Sequence, residues 1–137
     1  MKFWGISILT LALLLSCDNK RKVVEQNHDN GKPKKIAYYI DNRISEQIEY
    51  YENGQIKISG NFDNLGKRDG KWNYWYEDGV KWSENEYQNG KKEGTTIVYF
   101  KNGKKRYQGA FKNNLKSGKW QFWDETGQLI KEQEFKN

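Results

Sequence analysis

The chain has 137 residues, with 24 basic against 18 acidic side chains and a formal net charge of +6. It holds one Cys, one His and one Pro, which leaves no material for a disulfide scaffold or a His/Cys metal cluster. Aromatic residues make up 15% of it, six of them Trp, so any core must be built largely from rings.

Residues 1–16 read as an export signal. Lys2 gives a short positive start, and residues 3–15 are apolar apart from Gly5, Ser7 and Thr10. That stretch is shorter than the roughly 20 apolar residues a bilayer span needs. It ends in Leu14-Leu15-Ser16-Cys17, which resembles a bacterial lipobox, the small residue preceding a cysteine that is acylated and becomes the new N-terminus. The resemblance implies lipidation of Cys17 and an envelope protein anchored in a membrane, with the membrane and leaflet left open. Two acyl chains suffice for stable anchoring.

Residues 17–35 are polar and contain Val23 and Val24 as their only aliphatics, together with His28 and Pro33. Too little apolar surface is available to order such a segment, so a flexible, disordered tether is expected. His28 reads as a solvated linker residue. Lys20, Arg21 and Lys22 suit an anionic surface equally as well as plain solubility.

From residue 36 to 137 the pattern is strand and turn, rich in aromatic and β-branched residues, with no sustained helical period. Asn53-Gly54, Asp78-Gly79 and Asn102-Gly103 suit type I′ hairpin turns, and Thr126-Gly127 stands at the same place. Two-residue turns there set Trp75 opposite Trp82, Tyr99 opposite Arg106 and Trp123 opposite Ile130. Alternation then puts Trp72, Tyr74, Tyr76, Tyr87, Phe111 and Trp120 on one packed face, where Gly60 and Gly109 leave room for rings. The other face carries a stripe of Tyr50, Trp75, Trp82, Tyr99, Trp123 and Ile130. Its rings either bind a partner or lie against one another beneath Lys57 and Arg106.

The punctuation repeats. Gly70, Gly94 and Gly118 recur at a spacing of 24, as do Gly79, Gly103 and Gly127, and Tyr87, Phe111 and Phe135. A short fixed period means stacked copies of one supersecondary unit. Residues 36–137 hold 19 aromatics and only 13 Ile, Leu and Val, a balance that favours a single layer over a two-layer sandwich. The expected fold is all-β: an extended single-layer antiparallel meander of about nine or ten strands.

Tyr107-Gln-Gly109-Ala-Phe111, followed by Gly118-Lys-Trp120, resembles a MORN repeat of the bacterial variant form. Ile58-Ser-Gly60-Asn-Phe62 with Gly70-Lys-Trp72 matches too. The middle unit departs, with Asn85 in place of the glycine and Thr96 in place of the tryptophan. The resemblance implies β-hairpin repeats that serve as membrane-associated or protein-binding modules, and in some bacterial relatives an antitoxin.

Catalytic chemistry is thinly supplied. Beyond the tether there is no His and no Cys, and no glycine loop opens a helix to cradle phosphate. Glu84, Glu86, Glu132 and Glu134 lie on strands, where alternation on an open sheet gives them water rather than a pocket. A non-enzyme with no cofactor and no metal is expected. Its role would be to bind a protein or an envelope component, with Trp75, Trp82, Tyr99 and Trp123 as the contact stripe and no nucleic acid as partner. The alternative is an antitoxin- or immunity-like protein neutralising one toxin.

Overall fold

The computed structural model describes residues 19–136. The lipobox residues Leu14, Leu15 and Ser16, and Cys17 with them, lie outside the described residues. The chain forms ten strands: β1 (Arg21–Asn27), β2 (Pro33–Ile40), β3 (Arg43–Tyr50), β4 (Ile56–Phe62), β5 (Arg68–Trp75), β6 (Lys81–Gln88), β7 (Lys91–Tyr99), β8 (Lys105–Lys112), β9 (Leu115–Trp123) and β10 (Leu129–Phe135). They pair only with sequence neighbours, all antiparallel, in one open sheet ordered β1 to β10. The expected single-layer meander is what the structure shows.

Part of the expected tether is strand. Val23 and Val24 pair with Ala37 and Ile36, and the Tyr39 hydroxyl donates to Glu25 at 2.5 Å. β1 orders because it adds to an edge that already exists, so pairing supplies what its own composition lacks. His28 is also tied in, its Nε2 3.0 Å from the Tyr50 carbonyl.

The turns differ from the expected type. In the hairpin of β5 and β6 the Gly79 amide donates to the Tyr76 carbonyl at 3.0 Å, and the Tyr76 amide to Val80 at 2.8 Å. Gly79 has φ 85° while Asp78 is not left-handed. This is a three-residue hairpin, a type I turn closed by a glycine bulge. Residues 28–31, 51–54, 100–103 and 124–127 bond the same way. At the opposite end of the sheet the β4–β5 turn, residues 63–66, bonds this way too, and the other turns are type I′. There Asp41-Asn42, Asn89-Gly90 and Asn113-Asn114 have both φ values positive.

Each three-residue hairpin shifts the register. Trp75 pairs with Lys81, Tyr99 with Lys105 and Trp123 with Leu129, and Tyr74 then pairs with Ser83. Trp82, Arg106 and Ile130 are the extra residues of the bulges, so the cross-strand pairs expected for them do not form.

The core is thin, as one layer dictates. The buried apolar residues are Ile36, Ala37, Trp72, Val98 and Trp120. Two nearly identical cells anchor it. Trp72 lies on Gly60 and Trp120 on Gly109, so close that an added Cβ would sit 2.2 Å from either ring. Phe62 and Phe111 meet these indoles edge-on at 5.2 Å. Arg68 and Lys116 cover them at 4.1 and 4.5 Å. Each indole N–H donates to a carbonyl, Asn61 at 3.0 Å and Ala110 at 3.2 Å.

Candidate functional site

The sheet offers two faces and two rows of turns. On the less apolar face, Trp75, Tyr99 and Trp123 stand half-buried at the ends of β5, β7 and β9. Lys81 sits 5.8 Å from the Trp75 ring and Lys105 5.8 Å from Trp123. These lysines, rather than Lys57 and Arg106, cover the stripe. Lys57 lies over Tyr51 and Arg106 over Phe100 instead. The Tyr99 hydroxyl donates to Glu84 at 2.8 Å. Burial, then this bond to Glu84, pushes the Tyr99 phenol up to about 12. Burial pushes the Glu84 carboxyl up, but the Tyr99 hydroxyl and nearby Lys81 outweigh it and hold it below the usual range.

Trp82 does not belong to this stripe. Its ring packs on Tyr74 at 6.0 Å and on Tyr76 at 6.2 Å, so the bulge delivers it to the Trp72 face. It is 45% exposed there. The strict alternation assumed from the sequence fails at a bulge, because two residues then oppose one.

Two of the four strand carboxylates bind lysines, and Glu86 accepts from the Thr95 amide at 2.7 Å. Glu84 pairs with Lys81 at 3.5 Å and Glu132 with Lys119 at 3.3 Å, all on solvated strand surface. Among the described residues no cluster of three His, Cys, Asp or Glu side chains has metal-binding geometry.

The two turn rows differ in charge. The row of hairpins at 28–32, 51–55, 76–80, 100–104 and 124–128 holds Asp29, Glu52, Glu77, Asp78, Asp124 and Glu125, with Lys32, Lys101 and Lys104 as cations among them. The opposite row is flanked by Arg43, Lys67, Arg68, Lys91, Lys92, Lys112 and Lys116, which outnumber its acidic residues Asp41, Asp63, Asp69 and Glu93. It also bears Leu65 and Leu115, 77% and 62% exposed. β1 enters the sheet at this basic end, since Arg21 pairs with Tyr39 beside the Asp41-Asn42 turn. Sequence reading gave Lys20, Arg21 and Lys22 to an anionic surface or to plain solubility alike, and missed the turn row that stands with them. Turn assignment would have revealed it, because it decides which loops share an end.

Comparison with known proteins bears on the fold. No curated protein matches the chain. A chain in the crystal structure of accessory secretory proteins 1, 2 and 3 of Streptococcus pneumoniae is similar at 13% identity with a TM-score of 0.48. The likeness covers 77% of this chain and only 19% of that one. The MORN repeat variant family matches four times, over residues 45–64, 68–89, 92–113 and 116–137, in step with the hairpins from β3 to β10. Those matches span more than half of the sequence, and the chain belongs to the MORN repeat variant family.

Proposed function

We propose that this protein is a membrane-anchored, non-catalytic repeat module that binds another protein or an envelope component across an open face of its sheet. The observation that carries the reading is the separation of charge between the turn rows. The chain enters at the basic end with Arg21, only four residues after Cys17 in sequence. A lipid on Cys17 holds that end against the bilayer. Each basic residue near an anionic surface contributes about 1 kcal/mol, and the exposed Leu65 and Leu115 supply apolar tips on the same row. The faces then stand away from the membrane, with Trp75, Tyr99 and Trp123 open to a partner. Glu84 and Glu132 are engaged by lysines, and Glu84 by Tyr99 as well, which suits binding better than acid–base catalysis.

Cell fractionation of Cys17→Ala tests the anchor. The variant should leave the membrane fraction or remain an unprocessed precursor. If it stays membrane-bound with its signal removed, the anchor reading fails. Antitoxin activity has only the family label behind it, and rescue of cells from a neighbouring toxin gene's product would establish it.

A further inference from the structure

The middle repeat lacks the two residues that build an indole cell, and the face is open at that place. Where Gly60 and Gly109 lie under tryptophans, Asn85 stands; where Trp72 and Trp120 stand, Thr96 does. The result is a groove of about 390 Å³ between the two ring clusters. Its buried floor sets the polar Ser83 and Asn85 beside Val98. The Thr96 hydroxyl donates to the Asn85 side-chain oxygen at 2.7 Å, and the Asn85 amide reaches the Ser83 hydroxyl at 3.3 Å. Tyr74 and Trp82 wall one side and Tyr107 the other. Lys92 and Arg106 stand at its rim, and no carboxylate lines it.

We propose that this groove binds an acidic saccharide, a sugar bearing a carboxylate. Three features select that chemistry. The walls are ring faces, which suit the C–H face of a pyranose. The floor presents amide and hydroxyl groups that bond to one another and keep spare acceptor and donor positions, which sugar hydroxyls can meet and a purely apolar insert cannot. The rim carries only positive charge, which suits a carboxylate. The groove is open rather than closed, so a polymer chain can lie across it. This site is on the opposite face from Trp75, Tyr99 and Trp123, and it does not depend on the lipid anchor.

The test is a titration of the full chain in neutral detergent with trigalacturonic acid, against maltotriose as the neutral control and short polyglutamate as the acidic peptide control. Binding is read by calorimetry and by NMR shifts of the Trp82 indole N–H and the Asn85 side-chain amide. Trigalacturonate should move both signals and bind at least tenfold tighter than either control. The double variant Asn85→Gly with Thr96→Trp, which restores the flanking-cell pattern and fills the groove, should abolish the response. Trp82→Ala, at a half-exposed position, should weaken binding at least tenfold while its circular dichroism stays that of the parent. No binding of trigalacturonate, equal binding of maltotriose or polyglutamate, or binding unchanged in the filled or Trp82→Ala variants would overturn the proposal.

Discussion

Gly109 shows how one residue position controls a packing cell. The Trp120 ring occupies the space a side chain would need, at 2.2 Å from an ideal Cβ, and it is the rigid indole that would have to move. Gly109→Val should therefore destabilise the fold by about 1–3 kcal/mol in denaturant unfolding, and an unchanged midpoint would contradict the cell. This contact was legible in the sequence, because a glycine two residues before a phenylalanine recurs with a tryptophan beyond it. The role of Tyr99 was not, because its partner Glu84 is a strand charge that alternation alone assigns to water. Its phenol is held up to about 12 from an ordinary 10, so its contribution to stability is complete below pH 10 and is lost as pH rises through about 12. Glu84 has the opposite sense, its contribution being complete above the ordinary carboxylate range and lost as pH falls through its lowered value. In Tyr99→Phe the Glu84 carboxyl should titrate at higher pH by NMR, because its hydroxyl donor is gone; an unchanged Glu84 titration would show that the bond contributes nothing.

At the scale of elements, turn chemistry separates what the sequence conveys from what it hides. An Asn-Gly or Asp-Gly pair marks a turn, but the same dipeptide serves a two-residue type I′ turn or the end of a three-residue hairpin. Here Asp78-Gly79 is the latter, and that one-residue difference turns Trp82, Arg106 and Ile130 into bulge residues. β1 was hidden for another reason. Its residues Arg21–Asn27 are mostly charged or polar, and only pairing with β2 orders them. The signal that exposes it is the turn: His28-Asp-Asn-Gly31 has the spacing of Tyr51-Glu-Asn-Gly54, and the His28 ring takes the place of a tyrosine hydroxyl. Tyr51 donates to the Trp75 carbonyl at 2.7 Å and Tyr76 to the Tyr99 carbonyl at 3.2 Å, while His28 reaches that of Tyr50. Hydrogen exchange should find β1 amides directed at β2 protected above free-chain rates. Free-chain exchange throughout Arg21–Asn27 would return the segment to a tether.

At the scale of the whole molecule, ten strands about 4.8 Å apart make a slab roughly 45 Å across, and strands of eight residues give it about 26 Å between turn rows. One row is basic with leucine tips and the other is mainly acidic. The proposed anchor at Cys17 would give this slab a defined up and down. Depth-dependent quenching by brominated lipid reads that directly on the acylated protein in anionic vesicles. A fluorophore is placed on Asn113→Cys in the basic row, and separately on Glu125→Cys in the acidic row. The expected result is strong quenching at position 113 and little at 125, with the difference shrinking as salt is raised. Equal quenching at both positions, or stronger quenching at 125, would contradict a module standing on its basic end.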